Sequence, residues 1–354
     1  MAVETNIQWA DGTFNGWMGC TKISPKACAN CYAEVSTPSR RFGVAWGAGQ
    51  PRRRTAPSNW AQPVKWNNTL FVACHSCQWR GEGRLCIEGG RCPSCKTGKP
   101  EQAQRRIFCS SLSDVFDGEV DPSWREDLFA LIESTPNLDW LLLTKRIGLV
   151  HKMVPASWME NGFPKHVWLG ATIVDQTEAD RDIPKLLALP ASVRFLSMEP
   201  LMGPVNFRWM PYAHQAAGED YRTYMERRGG VNHLESLRGI HWVIAGGESG
   251  HHARPMHPEW VRSLRDQCGE AGVAFLFKQW GEWISNDAAG VALDLCYEKS
   301  RIGGWVERDG SFTAGEEAAP KDLSTAAHVF RIGKSLAGST LDGREHLHFP
   351  RSVQ

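Results

Sequence analysis

No apolar run in the chain approaches the roughly 20 residues that a bilayer-spanning helix needs, and neither sign of charge dominates. The 40 Lys and Arg residues balance 39 Asp and Glu, a net charge of +1. A membrane-spanning helix is therefore not expected, and any binding to nucleic acid must come from a local patch rather than a global field. Met1 to Asn6 lack the basic and then apolar regions of a signal peptide, so a cytoplasmic, reducing location is expected. There, cysteines serve as metal ligands more readily than as disulfides. A hydrophobic content of 42% excludes wholesale disorder, and 354 residues suffice for one large α/β domain with insertions or for two smaller domains.

What the chain does have is 11 cysteines, seven of them in two tight groups. Cys20, Cys28 and Cys31 share one short loop after an apolar segment. Three thiolates cannot close a four-coordinate site unless a distant residue supplies the fourth ligand. They can hold three irons of a cubane cluster and leave the last iron open for a substrate or cofactor. The second group, Cys74 and Cys77 followed fourteen residues later by Cys92 and Cys95, offers two sulfurs from each of two tight turns. That spacing predicts a closed structural zinc site stapling an insertion too small for its own core, with Cys86 and His75 as spare ligand candidates. Cys86, Cys109, Cys268 and Cys296 are isolated and read as inert core thiols. Arg52 to Arg54, Arg80, Arg84, Arg91, Arg105 and Arg106 surround the second group. They read either as a nucleic-acid face or as a solvated basic surface. His257-Pro-Glu259 matches half of a zinc deaminase signature, but no Pro-Cys-x-x-Cys pair follows it. His251, His252 and His257 therefore read as satisfied or surface histidines.

Six apolar runs end in polar clusters and alternate with helical patterns: 106–114, 139–146, 166–172, 193–199, 241–248 and 273–279. Runs of this kind read as strands buried on both faces of a parallel sheet. Helices are predicted from Pro122 to Ser134, with Asp121 as N-cap and Trp124, Leu128, Leu131 and Ile132 as its apolar face, and from Pro258 to Ala271, with Gly272 as stop. The alternation predicts a partial or complete β/α barrel of the TIM type, with a doubly wound open sheet as the alternative. The predicted division is a first barrel unit with the cluster loop (1–35), an insertion with the four-cysteine zinc site (36–104), the remaining barrel units (105–284, with a surface excursion at 211–237) and a C-terminal extension (285–354). In that extension, His328 to Lys334 reads as one of a strand pair joined through Ala337 to Gly343. Polar residues gather at the C-terminal ends of the runs, where barrels build their active sites.

A cysteine triad after the first strand, with Tyr32 following its third cysteine, resembles the radical SAM superfamily. The shared phrases are Ile7 to Asn15, Asn30 to Glu34, Leu143 to Arg146, Phe195 to Leu201, Gly246 to Gly250 with Arg254 to His257, Phe277 to Gly281, and Leu341 to Gly343. They look like a phage- and bacteria-borne three-cysteine family within it, which would place a phage-encoded chain in host cytoplasm. The resemblance implies a 4Fe–4S cluster on Cys20, Cys28 and Cys31, with S-adenosylmethionine on the open iron and a flavodoxin or ferredoxin as electron donor. It also implies Tyr32, Ser110, Ser111, Asp114, Thr172 and Glu199 around the cofactor, and Lys145, Glu248, Arg254 and Lys278 facing a substrate, a nucleic acid or nucleotide by the arginines. Two features depart from the superfamily pattern. Seven residues separate the first two cysteines instead of three, and the Gly-Gly-Glu phrase falls at Gly246 to Glu248 rather than after the second strand. The competing expectation is a non-catalytic, metal-stabilised nucleic-acid-binding protein; a third is a radical-SAM-like protein that works only with a partner.

Overall fold

The computed structural model describes residues 5, 7–207, 237–285, 287, 302–315, 320, 322 and 324–350. The chain divides into two compact units. One consists of Met1–Lys22, Ala33–Leu169 and Pro190–Ser192, the other of Ile23–Tyr32, Gly170–Leu189 and Val193–Gln354.

In the first unit, β1 (Gly12–Phe14), β2 (Arg105–Cys109) and β3 (Leu138–Thr144) run parallel, with Phe14 opposite Cys109 and Cys109 opposite Leu142. β4 (Val167–Thr172) is buried along its whole length. In the second unit, β5 (Val193–Met198), β6 (Trp242–Gly246) and β7 (Ala274–Gln279) are again parallel. The strand order in the sheet is β1-β2-β3-β4-β5-β6-β7, following the chain without reversal. A doubly wound sheet reverses its order at a switch point, whereas a barrel wall does not. The fold is thus mixed α/β, in the strand order of a partial β/α barrel. The apolar runs were legible because both faces of these strands are covered: Leu141, Leu169, Leu196, Ile244 and Leu276 have no exposed surface.

Helices α1 (Pro122–Glu133) and α3 (Pro258–Ala271) are capped as their sequences predict, and α2 (Gln176–Leu187), not among the predicted helices, is capped by Asp175. Asp121 accepts the Ser123 N–H at 2.9 Å, and Gly272 closes α3 in the left-handed region at φ 68°. The buried face of α1 differs from the expected one. It comprises Arg125, Leu128, Phe129 and Ile132, while Trp124 and Leu131 are only half-buried. Arg125 can lie inside because its guanidinium donates to the carbonyls of Val115 (2.9 Å) and Asp117 (2.7 Å).

Toward the C-terminus, β8 (Trp283–Ser285), β9 (Gly303–Glu307), β10 (Phe312–Ala314) and β11 (Ala326–Arg331) form an antiparallel sheet in the order β8-β11-β9-β10. β11 contains the alternating stretch at His328, but its partners are β8 and β9, not a strand beyond Gly343. Thr340–Leu341 instead pairs with Arg344–Glu345 in its own small hairpin. The tail then lies along β7, with a bridge between Leu347 and Leu276, and so covers an edge that would otherwise expose unpaired backbone groups. Apart from Leu237, the excursion expected at 211–237 lies outside the described residues.

Candidate functional site

The four cysteines of the second group converge in the first unit: the sulfurs of Cys74, Cys77, Cys92 and Cys95 all lie within 4.8 Å of one another. Two equivalent turns bring them there. The Gln78 N–H returns to the Cys74 carbonyl (2.8 Å) and the Lys96 N–H to the Cys92 carbonyl (3.0 Å), and Gln78 and Lys96 both adopt positive φ, 61° and 63°. Short strands Phe71–Ala73, Arg80–Glu82 and Glu101–Gln102 frame the turns. The closest sulfur pairs are 3.8 Å (Cys74–Cys95) and 3.6 Å (Cys77–Cys92) apart. Backbone N–H groups of Gly98 and Thr97 lower the Cys95 thiol to about 6, while burial pushes Cys92 up to about 11. Gly98 has no room for a side chain, because a Cβ there would stand 2.5 Å from the Cys74 sulfur. Neither spare candidate joins the group: Cys86 is outside it and His75 pairs with Glu101 at 3.4 Å.

At the ends of β2 and β3, the same unit holds a buried polar knot. Asp114 accepts four hydrogen bonds: from Phe116 N–H (2.9 Å), the Thr144 hydroxyl (2.8 Å), Lys145 N–H (3.1 Å) and Arg146 Nη1 (3.0 Å). That fills a carboxylate's lone-pair directions, so Asp114 orders this corner. The expectation that it meets a cofactor amine has no free oxygen to rest on. Arg146 also donates to the Thr21 carbonyl, and its Nη1 lies 3.4 Å from the Cys20 sulfur. Burial and the Asp114 charge push the Cys20 thiol up to about 12. Nearby, Ser110 sits in the left-handed region at φ 71° and Ser111 accepts from Asn15 at 3.0 Å.

In the second unit, the segment carrying Cys28 and Cys31 is braced on several sides. Ser24 donates to Glu178 at 2.6 Å, Lys26 pairs with Asp175 at 2.7 Å, and the Lys26 carbonyl accepts from Arg254 at 2.8 Å. Asn30 donates to Glu248 (3.1 Å) and to the His252 carbonyl (2.8 Å). Glu248, 6% exposed, is bound bidentately by the Arg254 guanidinium at 2.8 and 2.7 Å. Glu248 and Arg254 were expected to face a substrate. Their polar atoms hold each other and the cysteine segment. The glycines of this region are forced by a backbone crossing. A Cβ on Gly247 would lie 1.9 Å from the Trp280 carbonyl oxygen, and one on Gly281, at φ 83°, 2.0 Å from that of Glu248.

Three further expected residues gather at the ends of β5 and β7. Lys278 pairs with Glu199 at 2.7 Å, and Ser197 donates to Glu199 at 3.4 Å. Tyr32 is exposed, and desolvation by the surrounding protein together with Cys31 and Glu199 raises its pKa. Thr172, at the end of β4, is 2% exposed and its hydroxyl has no hydrogen-bond partner.

The arginines are not the open basic surface that their clustering suggests. Arg52 is enclosed and binds Asp117 at 2.8 Å; Arg54 pairs with Asp127 (2.6 Å), Arg80 with Asp11 (2.9 Å), Arg84 with Glu82 (2.6 Å) and Arg105 with Glu82 (3.1 Å). Burial lowers the Arg106 pKa to about 10. Arg53 and Arg91 are exposed. Of the isolated cysteines, Cys109 and Cys268 are core thiols pushed up to about 12 by burial, Cys86 is half-buried, and Cys296 lies outside the described residues. His257 caps α3, its Nδ1 accepting from the Glu259 N–H at 3.1 Å, and His251 and His252 are exposed. Sequence reasoning missed Arg146, Asn30, Lys26, Asp117 and Arg52 as site-building residues. Arg146 and Asn30 stood inside the quoted phrases as passengers.

The fold and these sites define an α/β protein with a four-cysteine group able to hold a metal ion and two braced cysteine segments at strand ends. The chain belongs to the family described as protein of unknown function (DUF5131), whose model matches residues 4–350. No curated protein matches it. Among solved structures it is similar to spore photoproduct lyase: a mutant with bound AdoMet and dinucleoside spore photoproduct (11% identity, TM-score 0.34, 91% of this chain and 69% of that one). The complex with dinucleoside spore photoproduct (12%, 0.33, 89% and 67%) and another mutant (13%, 0.36, 91% and 69%) are also similar. Nothing about this chain's chemistry rests on likeness at that level.

Proposed function

We propose that the protein is a radical S-adenosylmethionine enzyme in which Cys20, Cys28 and Cys31 hold a 4Fe–4S cluster. The observation that carries this reading is the bracing of the Cys28–Cys31 segment by Ser24, Lys26 and Asn30 against Glu178, Asp175 and Glu248. Such investment in an otherwise short loop suits a segment that must present ligands in one geometry. All three cysteines are free thiols, as ligands to iron must be. When bound, the cluster and S-adenosylmethionine would supply a 5′-deoxyadenosyl radical able to abstract a substrate hydrogen. The chain's own residues would position and enclose the cofactor. Thr172, whose buried hydroxyl lacks a partner, and Glu199 would take ribose hydroxyls; Tyr32, Ser110 and Ser111 would line the cofactor. Lys145 and Lys278 remain the residues proposed to face a substrate, and a flavodoxin- or ferredoxin-class donor would deliver the electron. A nucleic-acid or nucleotide substrate is supported by the exposed Arg53, Arg54, Arg84 and Arg91, of which Arg54 and Arg84 are paired with carboxylates at the surface.

We infer zinc for the four-cysteine group. Zinc–sulfur bonds of about 2.3 Å in a tetrahedron put sulfurs about 3.8 Å apart, against 3.8 and 3.6 Å for the two closest pairs here. Anaerobically purified protein should contain about four irons and four sulfides per chain besides zinc, and should form 5′-deoxyadenosine with reductant and S-adenosylmethionine. Cluster-loaded protein that never cleaves the cofactor rejects the enzyme; two zinc ions with no iron favour the binding protein.

A further inference from the structure

Resting on the reading that Cys20 is a cluster ligand, we propose that Arg146 sets the ease of reduction of that cluster by donating a hydrogen bond to the Cys20 sulfur. Arg146 is 7% exposed and sits two residues past the end of β3. Its Nη1 is 3.4 Å from the Cys20 Sγ and 3.0 Å from Asp114 Oδ2, and its other terminal nitrogen donates to the Thr21 carbonyl. Its backbone N–H is fixed by the Thr144 hydroxyl at 2.8 Å. The guanidinium is therefore held by Asp114 and the Thr21 carbonyl with one N–H edge on the sulfur.

A guanidinium is protonated at any working pH and has no acceptor, so the sulfur must be the acceptor once it is a thiolate. The contact carries a full positive charge in a buried setting, where screening is weak. Asp114 and Asp117 also lie nearby, paired with Arg146 and Arg52, and Arg52 pairs with Glu119 as well. The group in contact with the sulfur is the cation. An electron added to the cluster makes its ligand sulfurs more negative and strengthens this bond, so Arg146 favours the reduced state. This makes Arg146 a positioning and tuning residue, not a catalytic one.

The test is an EPR-monitored titration of anaerobically loaded protein with dithionite. Arg146→Gln should make one-electron reduction about tenfold less favourable, a midpoint about 59 mV lower, with Arg146→Lys in between. Arg52→Lys is the control: Arg52 shares the knot, donating to Asp117 and Thr21, but does not touch the sulfur. It should lower stability and leave the midpoint in place. Wild-type protein labelled with guanidino-15N arginine should show 15N hyperfine coupling to the reduced cluster, a measurement that needs no variant to fold. An unchanged midpoint in Arg146→Gln, an equal shift in Arg52→Lys, or no 15N coupling overturns the proposal. Wild-type protein that binds no four-iron cluster instead overturns the underlying functional reading, and metal and sulfide analysis reports that separately.

Discussion

Removing the Arg254 side chain should loosen the Cys28–Cys31 segment far more than it harms the rest of the protein. Arg254→Ala deletes two charge-assisted bonds to Glu248 and one to the Lys26 carbonyl. Bonds to charged groups are worth about 1.5–3 kcal/mol each, but the sum must be reduced on two counts. Glu248 keeps donors from the Arg254 backbone N–H (2.8 Å) and Asn30 (3.1 Å), so it is not left bare. The Arg254 side chain is also 32% exposed, so water replaces part of what it loses. A net cost of about 2 kcal/mol follows, felt first by the braced segment. Because 1.4 kcal/mol is a factor of ten, amide hydrogen exchange around Cys28 to Cys31 should speed up roughly 30-fold. Exchange within β5 and β6 should change much less, and iron retained after desalting should fall. Mass-spectrometric exchange on wild type and variant makes the comparison directly. Uniform acceleration throughout the unit, or none at Cys28 to Cys31, would show that the Glu248–Arg254 pair does not brace the cysteines.

Gly98→Ala should weaken metal retention in the four-cysteine group, since its Cβ would meet the Cys74 sulfur at 2.5 Å; a chelator competition assay that finds wild-type affinity contradicts this. Cys95→Ser should lower the metal content of that group below one ion per chain and expose residues 71–102 to protease, checked by elemental analysis and limited proteolysis. Asp139→Asn should stabilise the protein at pH 8 and do little at pH 4. Burial pushes the Asp139 carboxyl up to about 6, with Arg106 and Arg80 pulling the other way. Between about pH 4 and 6 the unfolded chain ionises while the folded chain keeps its proton, so stability falls as pH rises and then levels off. The loss removed by the amide is at most about 3 kcal/mol. Equal Tm differences at the two pH values would contradict the assignment. Gly247→Ala should prevent accumulation of folded protein, because the clash at 1.9 Å is with the Trp280 backbone; soluble protein with a wild-type circular dichroism spectrum would refute the crossing.

The strands and the caps of α1 and α3 were legible in the sequence because their signals are local. A strand covered on both faces reads as an apolar run, and Gly272 ends α3 through its own φ. The four-cysteine turns were legible for the same reason, since spacing alone sets which sulfurs can meet. What failed depended on distant partners. Arg80 reads as surface until Asp11 is placed against it, and Arg52 until Asp117 is. The alternating pattern in β11 announces a strand but not which strand it joins, and β9 supplies the answer. Arg125 displaced Trp124 from the buried face because the carbonyls of Val115 and Asp117, in the loop before the helix, accept its N–H groups. Polarity at a strand end, as at Glu248, likewise does not say whether the group serves a ligand or a neighbouring loop.

Residues 36–104, just before β2, look detachable in sequence, a cysteine-rich patch dropped between two repeats. Their ion pairs make them otherwise. Arg52 reaches Asp117 and Glu119, and Arg80 reaches Asp11, all outside the patch. Trimming the segment to a short linker would take Arg80 from Asp11 and Arg52 from Glu119, and would leave the interior Asp117 with Arg146 alone, at 3.7 Å. The ribbon thus behaves as a keystone that cannot be lifted out or transplanted without recutting the stones beside it.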